Sequence, residues 1–105
     1  YCVPAHTGIA KAMKVSDEIS NALRDETPLP TAKLEALRTF TLAMVRQRGE
    51  LNEQQLQDFY AAGYTQQNVL DVILGLSQKI MSNYTNHIAN TPVDEGSKRF
   101  AWEKK

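Results

Sequence analysis

Apolar residues recur along most of this chain at intervals of three or four, the spacing of one face of an α-helix. The longest such run extends from Val69 to Ile88. No stretch alternates apolar and polar residues with a period of two, and no Asn-Gly or Asp-Gly pair joins two β-rich runs, so no strand is expected. The pattern therefore predicts an all-α fold of about five helices.

Capping residues and prolines divide this pattern into segments. The predicted helices cover about residues 1–14, 17–24, 32–48, 53–63 and 66–91. Each of the last four follows a residue whose side chain can accept a hydrogen bond from a first-turn amide: Ser16, Thr31, Asn52 and Thr65. Asn52 and Gln55 have the form of a capping box. Glycines at positions 49 and 63 are natural helix stops, and Pro92 ends the last helix.

The run from Val69 to Ile88 is apolar over more than one helix face, because Leu70, Leu74 and Met81 widen its stripe. A helix with so broad an apolar surface is expected to be buried. The sequence leaves open whether it is buried in the centre of the chain or between subunits.

Length and charge restrict the class of protein. A chain of 105 residues is long enough for one core and too short for two, so we expect a single domain over residues 1–105. Residues 93–105 form a short tail in which Phe100 and Trp102 are expected to serve as a docking anchor. Twelve basic and twelve acidic residues leave no net charge, so we expect no nucleic-acid partner. No apolar run approaches the ~18 residues that cross a bilayer, so we expect no membrane partner.

The single cysteine cannot form an internal disulfide, which favours a reducing compartment and predicts a cytoplasmic protein. The chain does not begin with methionine, and neither Tyr1 nor Cys2 resembles an N-cap although the helical pattern has already begun. We therefore expect this sequence to be the C-terminal part of a longer protein.

Cys2 and His6 are the first candidates for chemistry, since one helical turn separates them. An imidazolium lowers the pKa of a neighbouring thiol, and the thiolate is the nucleophilic form. Spacing alone nevertheless favours a simpler interpretation, a buried cysteine beside a structural or surface histidine. A metal site is disfavoured, because zinc needs three or four ligands and the only other histidine is His87. We expect neither a metal nor a bound cofactor.

Asn86 and His87 form a second polar pair on a helix that is otherwise apolar. Hydrogen bonding near the helix end is the favoured interpretation, because buried polar groups usually have structural partners. A secondary site at this pair is the alternative.

The segment Tyr1-Cys2-Val3-Pro4-Ala5-His6-Thr7 resembles the signature of the alkylhydroperoxidase D and carboxymuconolactone decarboxylase family, in particular its small peroxidase-related members. Further stretches similar to the same family follow in order and span essentially the whole chain, at residues 48–56, 61–65, 83–87 and 91–94.

This resemblance implies a compact helical bundle of the alkylhydroperoxidase D type that forms homo-oligomers through helical surfaces. In the family pattern Cys-x-x-Cys-x-x-x-His, Cys2 matches the second cysteine and His6 the histidine. Cys2 is then the peroxidatic residue, and His6 lowers its pKa or relays its proton. A resolving cysteine is expected three residues before Cys2, and an external dithiol, either a protein or a small thiol, as the reductant.

Two other functions stay open. The decarboxylase branch of the family has the same fold and uses a histidine, without a redox cysteine, to act on a lactone acid by proton transfer; Cys2 argues against it. The third hypothesis is a non-catalytic helical oligomerisation module in which Cys2 is simply buried.

Overall fold

The structure is a computed structural model that describes residues 2–101, with the side chains of residues 3–101. Trp102, the second predicted tail anchor, lies outside the described residues. The described chain contains five α-helices, one 3-10 helix and no strand, which confirms the predicted all-α class. The elements are α1 (Cys2–Ala12), α2 (Asp17–Asp25), α3 (Ala32–Arg46), α4 (Glu53–Ala61), α5 (Gln66–Ala89) and the 3-10 helix Glu95–Phe100.

The helix starts follow the local sequence. At α2, α3 and α4, a first-turn amide donates to the side chain of Ser16, Thr31 or Asn52, as predicted. At α4 the amide of Asn52 also donates to Oε1 of Gln55 at 3.0 Å, which completes the capping box. Thr65 accepts in the same way from the first turn of α5.

Four helices end about two residues before their predicted limits. Helices α1, α3, α4 and α5 end at Ala12, Arg46, Ala61 and Ala89, because the residues that follow enter turns that contain a positive φ. Gly49 shows the reason after α3: its φ of +84° lies in the left-handed region, and its amide donates to the carbonyl of Met44 at 3.0 Å.

Residue contacts divide the chain into two units, each of which is described by itself. The described part of the first unit consists of residues 2–28 and 81–101, and the second unit is Leu29–Ile80. The single domain predicted for residues 1–105 stays a prediction.

The second unit is built on a stack of aromatic rings. Phe59 is 1% exposed, and its ring lies between those of Phe40, with centroids 3.9 Å apart, and Tyr64, at 4.5 Å. Met44 completes the buried cluster. Partly buried side chains from α3 to α5 surround it: Leu37, Leu51, Leu56, Tyr60, Val69, Val72 and Leu76.

In the first unit, α1 packs against α2 and against the 3-10 helix Glu95–Phe100. The ring of Phe100 lies over Gly8, so close that a Cβ at position 8 would be 3.1 Å from Cε2 of the ring. Phe100 therefore anchors the tail on α1.

Replacing Gly8 by alanine is expected to stabilise the protein less than the same change at Gly75. An alanine inside a helix gains about 0.5–1 kcal/mol over glycine. A Cβ at position 75 would meet no atom within 4 Å, so Gly75→Ala should realise this gain, whereas at Gly8 the Phe100 ring must move. Thermal unfolding of both variants and of Gly8→Ala with Phe100→Ala measures the difference. Equal gains at both glycines would contradict the close packing of Phe100.

Of the two alternatives left open for α5, burial in the centre of the chain is wrong, because none of its residues is buried. Only Val69, Val72 and Leu76 pack against the aromatic cluster of the second unit. The opposite apolar side chains are exposed, among them Leu74 at 70% and Ile88 at 89%. Burial between subunits is the interpretation that remains for this surface.

Candidate functional site

The backbone of α1 places positions 2 and 6 one helical turn apart, as predicted from their spacing. On the same helix, Thr7 donates from Oγ1 to the carbonyl of Val3 at 2.7 Å.

One side of α1 lines an open groove with a volume of about 640 Å³. From α1 and the turn that follows it, the lining residues are Val3, His6, Thr7, Ile9, Ala10 and Met13. The other wall comes from the connection to α2, from α2 and from the turn after it, through Val15, Ser20, Leu23, Arg24 and Glu26. The helical pattern predicts that Leu23 faces inward on α2, whereas it is 52% exposed, because it faces this groove.

His6 and Ile9 lie three residues apart on one face of α1, and both line the groove. Position 2 precedes His6 by one turn of the same helix. The side chain of Cys2 itself lies outside the described residues.

Of the predicted pair Cys2 and His6, His6 is the residue whose side chain the structure describes. It is an exposed residue on the groove wall, and it has an interaction partner. A histidine in this position can exchange protons with solvent and with a molecule bound in the groove, as acid–base catalysis requires.

Arg24 is a groove residue that the sequence does not single out. It is half-buried, and its Nη2 donates one long hydrogen bond of 3.5 Å to the carbonyl of Ala101. Among the residues that the structure describes, its buried Nε has no hydrogen-bond partner. In sequence, Arg24 is a basic residue in the last turn of α2, where it complements the helix dipole, and nothing local distinguishes it from a surface arginine.

The second candidate pair, Asn86 and His87, lies in the last turn of α5. Oγ1 of Thr91 donates to Oδ1 of Asn86 at 2.9 Å, and the amide of Thr91 donates to the carbonyl of Asn86 at 3.2 Å. His87 is exposed, and neither residue of the pair lines the groove. These bonds support the structural interpretation, in which Asn86 secures the turn after the helix.

Within residues 3–101, no three His, Cys, Asp or Glu side chains converge in a way that could hold a metal ion. In the same part of the chain, every helix is too short or too polar to cross a bilayer.

Models of known protein families gave no match to this chain, and neither did the curated protein sequences. The likeness to the alkylhydroperoxidase D family therefore rests on the motifs quoted above.

Proposed function

We propose that this chain is a thiol-dependent peroxidase of the alkylhydroperoxidase D type, in which Cys2 reduces hydroperoxides with the assistance of His6. One structural observation supports the proposal beyond the resemblance in sequence. His6 lines an open groove with largely apolar walls, and α1 carries position 2 one helical turn before His6. Such a groove suits the organic part of a hydroperoxide.

The first half-reaction uses both residues of the pair. His6 takes the proton of the Cys2 thiol, and the thiolate attacks the distal oxygen of the hydroperoxide. The O–O bond breaks, Cys2 becomes a sulfenic acid, and the leaving alkoxide receives the proton from His6 as an alcohol.

The second half-reaction restores the thiol. A cysteine three residues before Cys2, the position that the family pattern gives it, attacks the sulfenic acid, so that a disulfide forms and water leaves. An external dithiol, either a protein or a small thiol, then reduces this disulfide by exchange and is itself oxidised. No bound cofactor takes part in this scheme. The proposal places the reaction in the cytoplasm, where such reductants are available.

The direct test is hydroperoxide consumption by the protein with its natural upstream residues, with dithiothreitol as the reductant. Dimedone, which traps sulfenic acids, is added in a parallel reaction, and mass spectrometry locates the adduct. We expect consumption above the protein-free rate and an adduct on Cys2. Consumption at the protein-free rate, or an adduct elsewhere, would refute the proposal.

A second candidate function, a helical oligomerisation module, is favoured by the exposed apolar side of α5. Its exposed members are separated by three, four or seven residues, spacings that return to one face of the helix: Leu70, Ile73, Leu74, Ile80, Met81, Tyr84 and Ile88. An apolar stripe of this length on one helix is typical of a subunit contact. We include homo-oligomerisation through α5 in the proposal, because a peroxidase can also be an oligomer.

Replacing Leu74 by glutamate is expected to dissociate a homo-oligomer, since it puts a charge at a position that is 70% exposed within the apolar stripe. Gln57→Glu adds a charge at an exposed polar position of α4, away from the stripe, and should leave assembly unchanged. Light scattering during size-exclusion chromatography gives the mass of each variant. A native protein that is monomeric at high concentration would contradict the prediction.

A further inference from the structure

Arg24 lines the groove of the first unit, and the described residues use little of the hydrogen-bonding capacity of its guanidinium. Arg24 has donors on three nitrogens, yet among the described residues it makes one bond, of 3.5 Å, to the carbonyl of Ala101, and its Nε is buried without a partner. Burying part of a cation is unfavourable unless an anion or sufficient acceptors compensate it. An occupant with a negative group beside Arg24 would supply acceptors that the described residues do not.

The other charged groups of the groove limit the charge of that occupant. Glu26, beyond the last turn of α2, also lines the groove, and it is exposed and already engaged in an interaction. His6 is the remaining titratable residue among the described lining residues. A groove lined by one guanidinium and one exposed carboxylate matches a monoanion better than a phosphate monoester, which carries about −1.5 to −2 charges at pH 7.

The rest of the groove matches an apolar chain. Ile9, Met13 and Val15 line one part of it and Leu23 another, and its volume of about 640 Å³ falls in the ordinary range for small-molecule sites.

We propose that this groove binds an amphipathic carboxylate, with the carboxylate beside Arg24 and the apolar chain along α1. The substrate class also rests on the proposed peroxidase function. With that function, a site for amphipathic carboxylates identifies hydroperoxides of medium-chain carboxylic acids as the substrates.

Calorimetric titration with decanoate, 1-decanol and decyl phosphate tests the binding site in the absence of peroxide and reductant. We expect the native protein to bind decanoate more tightly than the other two, and Arg24→Gln to weaken decanoate binding about tenfold while leaving 1-decanol binding unchanged. Arg24→Lys keeps the charge and should retain part of the preference. Arg46→Gln is the matched control, because Arg46 is an exposed arginine of the second unit. Circular dichroism verifies that each variant is folded.

Equal decanoate affinity of Arg24→Gln and the native protein would overturn the inference, as would equal affinity of the native protein for decanoate and 1-decanol. If decanoate does not bind and Leu23→Asp lowers the mass of an oligomer, the groove is a subunit contact and the inference is again overturned. Carboxylate binding without hydroperoxide consumption would instead contradict the peroxidase proposal and the substrate class, while the binding site itself would stand.

Discussion

Replacing Cys2 by serine is expected to reduce hydroperoxide consumption to the protein-free rate. A serine hydroxyl has the size of the thiol, but it is not ionised near neutral pH and cannot be oxidised to a sulfenic acid, so both the nucleophile and the oxygen acceptor are lost. The measurement is the rate of hydroperoxide loss with excess dithiothreitol, at equal protein concentration. Consumption by Cys2→Ser at the native rate would show that the chemistry lies elsewhere.

The contribution of His6 is separated from that of Cys2 by thiol alkylation without peroxide. We expect the native thiol to react with iodoacetamide at mildly acidic pH and His6→Ala to react more slowly, because the imidazolium favours the thiolate. His87→Ala is the matched control, since His87 is exposed and does not line the groove. A native thiol that stays inert until about pH 8.5, the value for a free cysteine, would support the buried, structural role instead.

Replacing Phe59 by alanine is expected to lower the free energy of unfolding by about 3–5 kcal/mol, the usual cost of removing a buried aromatic ring. Phe59 is 1% exposed, and it contacts Phe40 of α3 and Tyr64 after α4 through stacked rings. Its removal leaves a cavity at the centre of the second unit and deprives both neighbours of their partner. Because small domains are stable by only about 5–15 kcal/mol, much of the native stability should be lost.

Urea unfolding followed by circular dichroism measures this loss. Phe59→Leu, which fills part of the cavity, should fall between alanine and the native residue. Tyr84→Ala removes an aromatic ring of α5 that is 64% exposed, and it should change the free energy of unfolding by at most about 0.5 kcal/mol unless α5 is covered by a second subunit. Equal effects of Phe59→Ala and Tyr84→Ala in a monomeric protein would contradict the central position of Phe59.

Much of the fold could be predicted because the decisive signals are local. The side chains of Ser16, Thr31 and Asn52 act on amides three residues away, so the starts of α2, α3 and α4 are visible in short segments of sequence. Helix ends are harder to predict. The last turn of α3, for example, depends on how its carbonyls meet the left-handed turn at Gly49.

In the candidate site, too, the local features could be predicted from the sequence and the contacts between distant segments could not. Cys2 and His6 are four residues apart on one helix, so their spacing alone predicts that they lie one turn apart. The groove that His6 lines could not be predicted, because α2 contributes Leu23 and Arg24 from about twenty residues farther along the chain. No periodicity indicates that Arg24 meets the carbonyl of Ala101.

The sequence by itself determined the all-α class, the starts of four helices and the placing of Cys2 and His6 one turn apart, because each depends on interactions within a few residues. Only the tertiary structure decided that Phe59 lies at the centre of the aromatic stack, that α5 leaves its apolar side exposed, and that Arg24 borders the groove. Those features arise from packing between segments distant in the chain, where the hydrophobic pattern gives the faces to be covered but not the partners that cover them.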